Sequence, residues 1–219
     1  MTDTAPDLPE LPRRAFAKAD PSTDALFYRE PRLVTHIDDA AIAAATALYR
    51  EMVPPGGVVL DLMSSWVSHL PPEVAYAEVI GQGMNADELA ANPRLTRRFV
   101  QDLNQDPALP LASGSVDAVL ICVSIQYLQQ AVAVLREVAR VLKPGGVAAI
   151  TFSNRCFPTK AVAIWQALAP PDQCRLVALY LARAGFERVG ARQLVDGRRS
   201  DPLWAVWGYA PGGGGSEAE

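Results

Sequence analysis

The sequence predicts an α/β domain built on a doubly wound, mostly parallel sheet with a C-terminal antiparallel strand. Three observations predict it. Short apolar runs rich in branched residues alternate with helical text through the middle of the chain, as successive βαβ units require. These runs sit between turn signals and read as strands covered on both faces. The last two strand-like runs, Phe186 to Leu194 and Leu203 to Tyr209, are separated by a turn region rather than a helix, so they are expected to pair antiparallel.

Taken in order, residues 1 to about 25 are rich in Pro, Asp and small residues, and read as a flexible arm because prolines supply no backbone donors. From Asp38, DDAAIAAATALYREMV carries strong helix formers and stops before Pro54-Pro55-Gly56-Gly57. Val58 to Met63 is the first buried strand, and its single acid, Asp61, is conspicuous there. Ala75 to Gly81 is the second strand, followed by a helical stretch from Ala86 to Ala91 and a short strand candidate from Arg98 to Leu103. Val116 to Val123 is the next. Residues 131 to 142 place Val132, Leu135, Val138 and Leu142 at helical spacing, and Lys143-Pro144-Gly145-Gly146 stops that helix. Val147 to Phe152 reads as a strand, and Pro158 to Leu168 and Asp172 to Ala184 as helices.

A length of 219 residues suits one domain, placed at residues 26–210, with a disordered tail over residues 211–219 that contains GGGGSEAE. Lys plus Arg is 20 against Asp plus Glu 24, a net charge of -4, so no global basic field favours nucleic acid. No stretch offers the roughly 20 apolar residues that span a bilayer. Three cysteines without metal spacing fit a reducing compartment, so a cytoplasmic protein with no metal is expected, its oligomeric state open.

Several motifs point to one chemistry. Val58-Leu60-Asp61, Leu109-Pro110 with Ser113-Gly114-Ser115-Val116-Asp117, and Leu135-Arg136-Glu137-Val138 running on to Val141-Leu142-Lys143-Pro144-Gly145-Gly146 together resemble the class I S-adenosylmethionine-dependent methyltransferases of the small-molecule, type 11-like group. The resemblance spans about Val58 to Tyr209 and implies a Rossmann-like fold, S-adenosylmethionine as cofactor and a small-molecule substrate. It also implies where the cofactor lies. Asp61, Met63, Ser64 and Ser65 occupy the cofactor loop, where the family has glycines at alternate positions and this chain has none; Ser64 and Ser65 are expected to offer hydroxyls to the methionine carboxylate. After the second strand, Gly81, Gly83, Met84 and Asn85 stand where the ribose is held, with Gly83 at the place of the family's acid, and Glu88 reads as an exposed helix charge. Asp102, Leu103 and Asn104 match the adenine segment, and Val123 ends the fourth strand beside the cofactor.

The remaining candidates face the acceptor. His69, His36 and Tyr127 are the catalytic candidates, since an imidazole takes a proton near neutral pH and Tyr127 follows the fourth strand, where the family places aromatic residues. Tyr28, Arg32 and His36 are expected to form an N-terminal cover. Trp66, Asn154, Arg155 and Lys160 are the substrate candidates, the two cations suiting an anionic group. The alternative function is a non-catalytic binding or partner subunit of the same fold; a nicotinamide enzyme is disfavoured because no G-x-G-x-x-G follows a strand.

Overall fold

The computed structural model describes residues 4–212; the expected disorder of the tail from Gly213 onward lies outside the described residues. The chain begins with an antiparallel pair, β1 (Thr4–Ala5) and β2 (Leu8–Pro12), then a 3-10 turn over Arg13–Phe16. This corrects the expectation of a flexible arm. Ala5, Leu8 and Phe16 are buried in the main core, and Arg136 and Arg183 reach back to Asp7 and Glu10. The prolines are tolerated because a two-stranded ribbon has free edges where a missing N–H breaks no ladder.

After a single helical turn, α1 (Asp24–Phe27), helix α2 (Asp39–Met52) starts at Asp38, whose carboxylate accepts from the Ala41 N–H. Its Ala41, Ala45, Leu48 and Tyr49 form one buried face. The central elements follow as β3 (Val58–Leu62), β4 (Glu78–Gly83), α3 (Ala86–Ala91), β5 (Arg97–Val100), β6 (Val116–Cys122), α4 (Ala131–Val141) and β7 (Leu142–Phe152). The chain closes with α5 (Ala163–Ala167), α6 (Pro170–Arg183), β8 (Glu187–Val195) and β9 (Leu203–Tyr209). The helix expected over Pro158 to Leu168 begins only near Ala163. Residues before it are pulled out of helical geometry by a bridge between Lys18 and Val162 and by the Val162 N–H donating to the Gln126 carbonyl.

The sheet order is β5-β4-β3-β6-β7-β9-β8; β3 to β7 run parallel, and β9 lies antiparallel to both β7 and β8. Successive residues of one strand serve opposite faces. Val59, Ala118 and Leu120 pack with α2, while Leu60, Leu62, Val119 and Ile121 pack in the cluster that contains α4 and α6. Strand order reverses between β3 and β6, because β4 and β5 extend one way from β3 and the chain then returns to its other side. A crevice at the carboxyl ends of those two strands is the place where such sheets bind ligands.

Candidate active site

Asp61, next to last in β3, is almost fully buried, 5% exposed, and the segment after the strand turns back over β4 without a glycine. Met63 takes φ 58, the left-handed conformation a glycine would adopt there. Gln82 stabilises that shape by accepting twice, its side-chain oxygen from the Met63 N–H at 2.9 Å and its carbonyl from the Ser64 N–H at 2.6 Å. Asn92, just after α3, donates to the Ser65 carbonyl at 2.9 Å and to the Ser68 hydroxyl at 3.0 Å. The loop is thus held by β4 and α3 side chains.

Its hydroxyls are also committed. Ser64 donates to Asp61 at 2.6 Å, Ser68 donates to the same carboxylate oxygen, and Ser65 donates to Glu88 at 2.6 Å. The expectation that Ser64 and Ser65 offer their hydroxyls to a ligand carboxylate is corrected accordingly. Burial pushes the Asp61 carboxyl up to about 6, with the two serine hydroxyls pulling it back. Glu88 is no exposed helix charge: it is 8% exposed, lines the cavity, and accepts the Arg32 backbone N–H at 2.7 Å as well as Ser65. A Cβ on Gly83 would lie 2.4 Å from the Ser64 carbonyl oxygen, so the loop's path excludes an acid at that position.

The segment from Asp24 to Asp38 covers the crevice. Asn85 caps α3 and donates its amide to the Tyr28 and Arg29 carbonyls, and Trp66 donates to the Val34 carbonyl. Tyr28, Arg32 and His36 line the cavity as expected of a cover. Arg32 donates to the Phe27 carbonyl at 2.8 Å, and its guanidinium stacks 4.5 Å from the Phe27 ring centre. Burial lowers the pKa of both His36 and His69, leaving each imidazole neutral at pH 7.

At the opposite end, Asp102 uses one carboxylate oxygen to accept from the Asn104 N–H at 2.9 Å, which shapes the turn. Among the described residues its other oxygen and the Leu103 N–H have no partner, and both residues line the cavity. Asn104 donates to Asp24 and to the Tyr127 carbonyl, tying this turn to the cover and to the segment after β6. Beyond β6, Val123 sits at φ 45, strained for a β-branched residue, and the next residue, Ser124, is buried on the cavity wall with its hydroxyl unpartnered. Tyr127 also lines the cavity; its hydroxyl accepts the Phe157 N–H and the two rings stack.

Four candidates lie off the cavity wall. Gly81 is required by packing, since a Cβ there would meet Leu95 at 2.3 Å, and Asn85 serves the cap and the cover. Asn154 is exposed and bonds Ser153. Lys160 is completely buried, with its ammonium 3.0 Å from Asp20 and 3.5 Å from Asp24 and donating to the Ser22 carbonyl, so it anchors the N-terminal segment instead of a substrate. Arg155 does reach the cavity mouth but pairs with Asp201 at 2.8 Å. Met63, Ser64, Ser65, Trp66, Gly83, Met84, Val123 and His69 all line the cavity, whose volume is about 240 Å³. Sequence reasoning missed Glu88 and Ser124; the signal available was only that Glu88 falls one helical turn after Asn85.

Residues 64–150 match the model of the methyltransferase domain family. No curated protein matches the sequence significantly. Solved structures similar to this one include a chain of the complex between the Haloferax volcanii Trm112 methyltransferase activator and the putative methyltransferase, with TM-score 0.61 and 17% identity over 79% of this chain and 91% of that one. An S-adenosylmethionine-dependent methyltransferase from Aquifex aeolicus aligns with TM-score 0.56 and 19% identity over 78% of this chain and 91% of its own. Phosphoethanolamine N-methyltransferase 2 of Haemonchus contortus, solved with S-adenosyl-L-methionine, aligns with TM-score 0.56 and 14% identity over 77% of this chain and 52% of its own. The fold is the Rossmann-like fold of the class I S-adenosylmethionine-dependent methyltransferases. The matched domain is a methyltransferase domain, and the last two of these solved structures are described with S-adenosylmethionine.

The residues present fit that cofactor at one end and differ at the other. A free carboxylate oxygen and a free N–H on adjacent residues, Asp102 and Leu103, are the acceptor and donor that an adenine edge requires. Met63 keeps the loop in a glycine-like turn beside Asp61. The carboxylate that bonds ribose has no counterpart at Gly83, and Glu88 is the acid that lines the cavity from the following helix.

Proposed function

We propose that the protein transfers a methyl group from S-adenosylmethionine to a small-molecule acceptor by in-line displacement. The observation that carries the reading is the cavity at the switch point of the sheet, which joins the open Asp102 and Leu103 pair to the loop beside Asp61. When bound, the cofactor supplies an electrophilic methyl on a sulfonium whose sulfur departs neutral. The chain then has to align and shield. Asp102 and Leu103 hold the nucleobase, Glu88 accepts from the ribose side, and the cover bearing Tyr28 and His36 excludes water together with Tyr127 and Phe157. Alignment of this kind is worth roughly 7–11 kcal/mol, so a strong base is optional. Where the acceptor must lose a proton, neutral His36 or His69 receives it at a ring nitrogen, both being cavity residues. The described unit runs from the N-terminal ribbon to about residue 210, and a cytoplasmic setting suits three unpaired cysteines; no helix of the described residues is long and apolar enough to cross a membrane.

A second reading, a non-catalytic partner subunit, is favoured by one observation: the loop's serine hydroxyls and two of its N–H groups are spent inside the protein. Calorimetric and thermal-shift titration with S-adenosylmethionine and S-adenosylhomocysteine separates the two. Binding with a melting shift is the expected result. No heat and no shift from folded protein moves the assignment to the partner subunit.

A further inference from the structure

We propose that Arg32 is a carboxylate-binding residue of this cavity, receiving an anionic group carried either by the methionine end of the cofactor or by the methyl acceptor. The inference deepens the function just proposed and rests on it for the identity of the ligand. Arg32 lines the cavity, and its Nη1 is buried without a hydrogen-bond partner among the described residues. A buried cationic donor left unpaired is costly, so a ligand acceptor is the partner it lacks. The residue is also fixed before any ligand arrives: its backbone N–H donates to Glu88 and its Nη2 to the Phe27 carbonyl. Its guanidinium carbon lies 4.5 Å from the Phe27 ring centre and 5.5 Å from that of Phe157, and with Nη2 on the Phe27 carbonyl the group left to meet a ligand is Nη1. A guanidinium N–H held in this way suits the oxygen of a planar carboxylate.

The donors that the loop beside Asp61 has already committed point the same way. The Met63 and Ser64 N–H groups are taken by Gln82, and the Ser64 and Ser65 hydroxyls by Asp61 and Glu88. Arg155, the other permanent cation on the wall, is paired with Asp201. Asp24, Asp61, Glu88 and Asp102 make the rest of the wall acidic, so an anion entering here has Arg32 as its counter-charge.

Two matched pairs of probes test this by calorimetry on wild type, Arg32→Gln and Arg32→Lys, each first shown to melt cooperatively. The first pair is S-adenosylhomocysteine and its decarboxylated counterpart; the second, added to protein saturated with S-adenosylhomocysteine, is benzoate and benzamide. Wild type is expected to prefer the carboxylate member of one pair by about tenfold or more, the size expected for a charge-assisted bond. Arg32→Gln should abolish that preference and Arg32→Lys, which keeps charge without the planar fork, should reduce it severalfold. Preference in the first pair assigns the carboxylate to the cofactor, and in the second to the acceptor. Equal binding within both pairs by wild type, or a preference that Arg32→Gln leaves unchanged, overturns the proposal; if the glutamine variant does not fold, an unchanged preference in Arg32→Lys does so. Should wild type bind no nucleoside, the proposed function falls, and the benzoate pair on unliganded protein decides Arg32 separately.

Discussion

The two ends of the cavity solve the same problem, where to direct polar groups, in opposite ways. At the loop end, Gln82, Asn92, Glu88 and Asp61 absorb two N–H groups and three hydroxyls, so the turn is satisfied by the protein itself. At the turn after β5, Asp102 spends one oxygen on the turn and leaves the other open, beside an unpaired Leu103 N–H. The difference divides scaffold from reader: binding energy for a nucleoside should come chiefly from Asp102, while the loop fixes the shape of the wall. Replacing a glycine-rich turn by side chains therefore moves ligand recognition elsewhere in the cavity.

The largest expected effect concerns what holds the cover against both ends. Lys160 is buried among Asp20, Asp24 and the Ser22 carbonyl, and Asp24 also accepts from Asn104 of the adenine turn. Asp24 would keep its buried pair with Lys18, while Asp20 and the Ser22 carbonyl lose their buried cation, so Lys160→Met should cost about 3 kcal/mol in urea unfolding. A loss under about 1 kcal/mol would show that the cover is held by its aromatic contacts instead.

The loop end should reveal itself through pH. Asp61 titrates near 6 in the folded state because burial disfavours its charge, against about 4 when unfolded. A raised carboxyl pKa means the folded state holds the proton longer, so this group's contribution is fully present below pH ~4 and is lost as pH rises to ~6, a swing of about 3 kcal/mol. Asp20, held low at about 2 chiefly by Ser22, acts with the opposite sign at more acid pH. Comparison with Asp61→Asn isolates the term: the wild-type stability minus that of the variant should fall between pH 4 and 6. A flat difference would mean that the serine hydroxyls compensate the buried charge fully.

At the adenine end, Asp102→Ala should weaken S-adenosylhomocysteine by about 1–3 kcal/mol, since it removes the open carboxylate oxygen together with the acceptor of the Asn104 N–H that shapes the turn. Ser64→Ala should weaken it less, since that hydroxyl serves Asp61. Equal losses from the two variants would erase the distinction between reader and scaffold.

What the sequence disclosed of this follows the range of the interactions. The helical text from Asp38, the buried run around Leu60 and the stop after α4 are local texts, in which each signal lies within a few residues of its effect. Glu88 and Lys160 were misread because their partners lie 56 residues away at Arg32 and 138 away at Ser22, and composition near either residue carries no trace of them. The N-terminal ribbon failed for the same reason: its prolines are legible, whereas the core that receives Leu8 and Phe16 is built from α4 to α6. The cofactor loop stands between these cases, with its missing glycines visible and its supports, Gln82 and Asn92, hidden until β4 and α3 were placed beside it.

The smallest effect is expected where the departure from glycine looks greatest. Met63 already holds φ 58, so Met63→Gly relieves left-handed strain, a gain of roughly 1 kcal/mol, while the freer unfolded chain costs about the same. The Gln82 bond to the residue-63 N–H involves backbone and persists in the variant. Stability should stay within about 1 kcal/mol of wild type, and S-adenosylhomocysteine affinity should change less than for Asp102→Ala, because the wall keeps its shape and the donors remain committed. Urea midpoints and calorimetric dissociation constants for the two variants decide it. A marked gain in affinity from the glycine would mean that the methionine side chain obstructs a site the backbone still offers, and the loop would then count as a ligand reader in its own right.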